Sequence, residues 1–273
     1  LNAGKTLGIG NYDSANIIHS NGKFYLLVGT STSNRDHFYI VDAKTLYYEN
    51  SAVVGANLSG LTILNEQYGL VTGDGIRRID LKSLNNVRIK NERLLCFYNS
   101  IIYNGKVLSN DTYKDESKVK YYDVNELIAA KEGEAPAVTE LDIIQKQKIN
   151  FVLAKDGNVY TLESADNGCN IVKIKNDFTL EKVFANFQPA KGPYHSSPTI
   201  GMVASETENI IYLVSTDGAI YKYILGDSDS LKAPFIAAES GVSITAPLQL
   251  NQQSGKMNLK SSFTAKTEKF STQ

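Results

Sequence analysis

Eight residues of this 273-residue chain have the types and spacing to do binding chemistry: Tyr12, Asn57, Tyr98, Asn99, Lys148, Tyr194, His195 and Ser196. Each stands just before the first strand of a repeated unit, in Asn11-Tyr12-Asp13, Asn57-Leu58-Ser59, Tyr98-Asn99, Gln147-Lys148 and Tyr194-His195-Ser196. Ser243-Ile244-Thr245 is the sixth stretch of this kind. The tyrosines would supply flat faces, and the asparagine amides both donors and acceptors. That mixture suits a neutral polar ligand such as a sugar or a peptide. The alternative is that these side chains fill a channel mouth or meet solvent.

Other chemistries find less support. His195 lies in the turn-rich stretch Lys191-Gly-Pro-Tyr-His-Ser-Ser-Pro198, beside Ser196 and Ser197. Adjacent residues rarely reach the hydrogen-bonded geometry that activates a serine, and no Gly-x-Ser-x-Gly elbow is present. His19, His37 and His195 show no metal-ligand spacing. Thr72-Gly-Asp-Gly75 and Lys155-Asp-Gly-Asn158 read as hairpin turns, not as calcium loops. Glycoside cleavage needs two facing carboxylates, and the channel mouth offers Asp13 and Asp142 only. No catalytic residue, metal ligand or cofactor is therefore expected.

Lys+Arg number 28 and Asp+Glu 29, for a net charge of −1. Nucleic-acid binders usually carry a basic face, so this balance argues against one. Arg77, Arg78, Lys82 and Arg88 cluster in sequence, but alternation sends Arg77 and Arg78 to opposite faces of a strand. A solvated exterior is expected for them. No apolar run is long enough to span a membrane as a helix. Cys96 and Cys169 read as two free, small apolar fillers.

The elements that must position the candidate residues come from internal repetition. Five segments share an alternating strand, a polar turn, a second strand, a loop, and a third strand. Val41, Ile79, Tyr122, Ile174 and Tyr223 are equivalent positions, 38, 43, 52 and 49 residues apart. The mean period of 45.5 residues divides the chain into six. A four-stranded unit of about 40–50 residues is a propeller blade, which hides its apolar faces only by stacking on its neighbours. Asn21-Gly22, Asp74-Gly75, Asn104-Gly105, Asp156-Gly157, Asp217-Gly218 and Ser254-Gly255 punctuate the strands as hairpin turns.

The expected fold is therefore all-β: one domain over residues 1–273, a β-propeller of about six or seven four-stranded blades. Ala246–Leu250, Lys256–Ser262 and Glu268–Thr272 read as three strands without a fourth, and Lys5–Ile9 as a strand without a blade. Strand 5–9 is expected to join the C-terminal blade and close the ring, which removes exposed edges. Val124–Glu132 reads as one short helix inserted between the third and fourth strands of the third blade, stopped by Gly133.

Asn21-Gly-Lys-Phe-Tyr-Leu-Leu-Val28 followed by Tyr39-Ile-Val-Asp-Ala-Lys-Thr-Leu46 resembles the YVTN-repeat, surface-layer-like β-propellers. So does Asn104-Gly-Lys-Val-Leu108 with Tyr121-Tyr-Asp-Val-Asn-Glu-Leu127. Glu208-Asn-Ile-Ile-Tyr-Leu213 leading to Asp217-Gly-Ala-Ile-Tyr-Lys222 is similar to the versions on secreted Bacteroidetes lipoproteins. The resemblance implies seven blades and an extracytoplasmic protein, lipid-anchored at the outer membrane of a Gram-negative cell. It carries no shared catalytic residues. The function it implies is a non-catalytic cell-surface or secreted binding and scaffolding module. One version is an accessory lipoprotein of an outer-membrane transporter complex for glycan or peptide uptake, with a protein partner at the cell surface. The alternative is a glycan-acting hydrolase or lyase with its site in the central channel.

Overall fold

The computed structural model describes residues 14–29, 36–55, 60–95, 100–110, 117–134, 136–145, 151–165, 168–188, 199–215 and 217–237. They form five antiparallel sheets, in chain order. Sheet 1 holds β1 (Ser14–Ser20), β2 (Lys23–Gly29), β3 (Asp36–Asp42) and β4 (Tyr48–Gly55), side by side. Asn21 and Gly22, at φ 49° and 70°, make the β1–β2 turn, and both conformations are left-handed as a two-residue hairpin requires.

Sheet 2 holds β5 (Gly60–Ile63), β6 (Tyr68–Asp80) and β7 (Asn86–Leu95). It follows the same plan with a tighter corner. A straight strand would put Gln67 and Leu81 roughly 45 Å apart. Instead the Leu81 amide donates to the Gln67 carbonyl at 2.7 Å. β6 therefore doubles back through Gly73-Asp74-Gly75 and supplies the two middle strands of a blade. Gly75 (φ 91°) has no room for a side chain, since a Cβ there would lie 2.2 Å from the Lys90 carbonyl oxygen.

Sheet 3 holds β8 (Ile101–Tyr103), β9 (Lys106–Asn110), β10 (Ser117–Asp123) and β11 (Val138–Gln145). Helix α1 (Val124–Ala129) sits between β10 and β11, as the residue pattern predicts. The Asp123 carboxylate caps it by accepting from the Asn125 and Glu126 amides. Sheet 4 holds β12 (Val152–Leu153), β13 (Val159–Ala165), β14 (Gly168–Ile174) and β15 (Leu180–Phe187). Sheet 5 holds β16 (Thr199–Ala204), β17 (Ile210–Ser215) and β18 (Ile220–Ile224). Past a short 3-10 turn at Ser228–Leu231, Ile236 returns to pair with Ile220 and begins a fourth position.

The core is divided between sheets. Ile18, Tyr25, Leu27 and Phe38 of sheet 1 meet Leu61, Val71, Ile79 and Leu84 of sheet 2. Leu70, Ile76 and Ile89 on the other side of sheet 2 meet Val107 and Tyr122 of sheet 3, with Leu127 of the helix. Ile101, Leu108 and Ile143 meet Val159, Val172 and Ile174 of sheet 4. Tyr160, Leu162, Ile171 and Phe187 then meet Met202, Leu213 and Tyr221 of sheet 5. Sheets 2, 3 and 4 are thus covered on both faces, which is why Val159–Leu162 is buried throughout, without strict alternation. This stacking is propeller-like. Residues 5–9 and 246–272, the expected closing strands, lie outside the described residues, as does Cys96. Cys169 is a free, buried thiol.

One corner recurs between the third and fourth strands. Asp42 Oδ1 accepts from the Lys44 and Thr45 amides, and Asp80 Oδ1 from the Lys82 and Ser83 amides. Leu46 (φ 59°) and Leu84 (φ 60°) then take the left-handed conformation and bond back to the aspartate carbonyls. Phe178 (φ 64°) holds the matching place in sheet 4. The left-handed side chain is thrown onto the preceding sheet: Leu84 onto the sheet 1 core, Phe178 onto Tyr103 and Tyr121 of sheet 3.

The expected solvated role of Arg78 is corrected. Its Nη1 donates to the carbonyls of Leu127 (3.5 Å), Ile128 and Ala130 (3.0 Å), and its guanidinium stacks 5.1 Å over the Tyr68 ring. It binds the C-terminal end of α1, where carbonyls lack helical partners and a cation is favoured.

Candidate functional site

Sheet 4 carries a polar hollow at the end where β13 turns into β14. Glu163 on β13 faces Asn170 on β14 across the ladder. Asn170 Nδ2 donates to Glu163 Oε2 at 2.7 Å, and Lys182 Nζ of β15 lies 2.9 Å from the same oxygen. Asn170 Oδ1 accepts from the Asn186 amide at 3.0 Å.

A bulge in β15 shapes one side of the hollow. Cys169 pairs with Phe187 but Ile171 with Phe184, so β15 carries an extra residue there, and Asn186 turns left-handed (φ 55°). Such bulges re-aim side chains at strand ends. Gly168 lets the two strands close tightly beside the bulge, since a Cβ there would lie 2.3 Å from the Phe187 carbonyl oxygen. The resulting cavity of about 430 Å³ is lined by Glu163, Ser164, Asn170, Lys182, Asn186 and Gln188, with Ala165 its one apolar member.

The opposite end of sheet 4 is structural. Asp156 Oδ2 accepts from Tyr160 Oη (2.8 Å) and Asn158 Nδ2 (3.0 Å), and Lys173 Nζ stands 3.1 Å away. Burial pushes the Asp156 carboxyl up, but these hydrogen bonds together outweigh it and hold it below the usual carboxylate range. Tyr160 is pushed well above the ordinary tyrosine value, first by burial and then by Asp156. Tyr103 Oη donates to Asn176 Oδ1 (2.5 Å), latching sheet 3 to sheet 4. Buried Gln145 makes a second latch, accepting from Asn110 Nδ2 and donating to Thr161 Oγ1 and the Leu162 carbonyl.

All eight candidate ligand residues, Tyr12, Asn57, Tyr98, Asn99, Lys148, Tyr194, His195 and Ser196, lie outside the described residues. Gln188, at the pocket wall, is six positions before Tyr194 in the chain. Asp142 is corrected. It sits on β11, the outermost strand of sheet 3, with its side chain 89% exposed and 3.6 Å from Lys118. It lines no channel mouth. Glu163, Asn170, Lys182 and Asn186 form no spacing motif; strand register brings the first three to one face and the bulge adds Asn186. The sequence signal for them was the left-handed-tolerant Asn186 inside an otherwise regular strand. Among the described residues no group of three or more His, Cys, Asp or Glu could hold a metal ion.

A family model described as a domain of unknown function, DUF5074, matches residues 1–251. The chain belongs to that family. No curated protein matches it. Among solved structures it is similar to Kluyveromyces lactis Hsv2, at 13% identity and a TM-score of 0.47 over 82% of this chain. The chain spans 65% of the length of that protein. It is also similar to virginiamycin B lyase from Staphylococcus aureus, at 14% identity and a TM-score of 0.46, covering 76% of this chain and 68% of that one.

Proposed function

We propose that this member of the DUF5074 family is a non-catalytic binding and scaffolding propeller of the cell surface. The observation that carries the reading is the sheet 4 pocket. It holds one carboxylate, Glu163, already engaged by a lysine and an amide. Hydrolysis of a glycosidic bond needs two facing carboxylates, whereas holding a polar ligand needs convergent donors and acceptors of this kind. The YVTN-type repeats support an extracytoplasmic location. In the fullest form of the reading, the protein is an accessory lipoprotein seated on an outer-membrane transporter that imports glycans or peptides.

The propeller of this proposal is a closed ring, in which residues 5–9 complete a final blade built from residues 246–272. Leu84 is 6% exposed because sheet 1 covers it, while its counterpart Leu46 is 46% exposed. Ile17, on the face of sheet 1 turned away from sheet 2, is 56% exposed. The repeat geometry calls for one more sheet against that face, and the 36 residues beyond Ala237 are the length of chain that supplies it.

The test is a glycan and peptide array with the purified protein, run beside a turnover assay on the same glycans. Binding without turnover is the expected result. A blank array together with cleavage of any glycan overturns the proposal in favour of a hydrolase or lyase.

A further inference from the structure

We infer that the sheet 4 pocket is a site for an uncharged saccharide, whose neighbouring hydroxyls bridge Glu163 and Lys182. The inference rests on the binding reading above and names its ligand class. The cavity of about 430 Å³ falls within the range of roughly 300–1,000 Å³ that ligand clefts occupy. Its lining decides what can enter.

An apolar guest would strip water from Glu163, Lys182 and three amides without replacing the lost hydrogen bonds. A charged guest fares little better. Glu163 and Lys182 neutralise each other at 2.9 Å, so an anion meets the carboxylate and a cation the ammonium. At about 4 Å each such encounter costs on the order of 1–4 kcal/mol. A peptide backbone offers one donor and one acceptor per residue, spaced more sparsely than the hydroxyls of a sugar, and any apolar side chain it carries would find only Ala165 to receive it.

Hydroxyl groups fit. Each is donor and acceptor at once. Glu163 Oε2 is taken by Asn170 and Lys182, which leaves Oε1 to accept from one hydroxyl while a remaining Lys182 N–H donates to the next. The Asn186 and Gln188 side-chain amides border the same space and make no hydrogen bond with any described residue, so each adds a donor and an acceptor. Asn170 is 6% exposed and locked at both ends, so it holds Glu163 at a fixed angle. The carboxylate is thereby pre-organised, which lowers the ordering cost of binding.

The experiment is a titration of the ¹⁵N-labelled full chain with maltose, cellobiose and lactose, followed at the side-chain amides of Asn170, Asn186 and Gln188. Glucuronate, glucosamine and trialanine serve as comparators. The expected result is saturable shifts of these amides by at least one neutral disaccharide, with Kd on the order of millimolar. The charged sugars should bind at least about tenfold more weakly, and so should the E163Q variant with any sugar. K182M, altered at an exposed position, should weaken binding by a similar factor at unchanged thermal stability. Saturation by trialanine in place of the disaccharides overturns the ligand class. A sugar response that survives E163Q and K182M together overturns the site. Silence of the pocket amides beside a positive glycan array overturns this inference alone, and silence beside a blank array removes the binding reading with it.

Discussion

Replacing Arg78 by methionine isolates the bond between blade 2 and the inserted helix. Methionine keeps much of the apolar stem and removes the guanidinium. One nitrogen serves the carbonyls of Leu127, Ile128 and Ala130, so the three contacts count as one strong charge-assisted bond of about 2 kcal/mol. Stacking on Tyr68 at 5.1 Å adds about 0.5–1 kcal/mol. The Arg78→Met variant should therefore lose about 2–3 kcal/mol, which lowers the melting temperature of a chain this size by roughly 4–10 °C. Arg78→Lys keeps the charge but not the planar fork, and should lose about half as much. The assays are thermal unfolding by circular dichroism and amide hydrogen exchange at Val124–Ala130. Leu127 is fully buried, so detachment of the helix exposes core and must register in both. Unfolding within about 0.5 kcal/mol of wild type, with unchanged exchange at Leu127 and Ile128, would refute the clasp.

Three further outcomes follow from particular residues. Asp42, Asp80, Asp123 and Asp156 all have carboxyls held below the ordinary range: Asp42 by the Thr45 hydroxyl, Asp80 by the Ser83 amide, Asp123 by Lys106, and Asp156 by Tyr160, Asn158 and Lys173 against its burial. A depressed folded value contributes stability above the unfolded value of about 4 and loses it as pH falls through the folded one, so denaturation should steepen below about pH 4, and Asp156→Asn should flatten that limb in a pH series of unfolding midpoints. Gly168→Ala should cost more than Gly105→Ala in denaturant melts, because the first drives a Cβ to 2.3 Å from the Phe187 carbonyl while the second meets only its left-handed φ of 71°, worth about 1 kcal/mol. Leu84→Asp and Leu46→Asp test closure as a pair: both should destabilise if a sheet covers Leu46, and a neutral Leu46→Asp would mean that this face of sheet 1 meets water.

The blade plan was legible in the sequence because hairpins and strand alternation are local. Asn21-Gly22 and Asn104-Gly105 adopt the paired left-handed turns their residue types favour. Val124–Ala129 is helical where strong helix formers follow Asp123 and precede Gly133. The five equivalent positions Val41, Ile79, Tyr122, Ile174 and Tyr223 fall in β3, β6, β10, β14 and β18. Even Asp42-Ala-Lys-Thr-Leu46, part of the resemblance, is a device with a mechanism: the same corner recurs at Asp80-Leu-Lys-Ser-Leu84, where the aspartate folds the turn that aims Leu84 at sheet 1.

What the sequence by itself determined is the module: which residues pair, where the chain turns, and that each sheet needs a neighbour on both faces. Tertiary structure alone decided where charges go. Arg78 is drawn from solvent to a helix end 49 residues away, and Asp142 is set on an outer strand instead of a channel. Glu163 and Lys182 meet only because the β13–β14–β15 register puts them on one face, and Asn186 joins them through a bulge in β15. The physical reason is range. Turn and strand preferences act over a few residues, whereas an ion pair or a pocket depends on register and bulges that exist only once whole sheets are stacked.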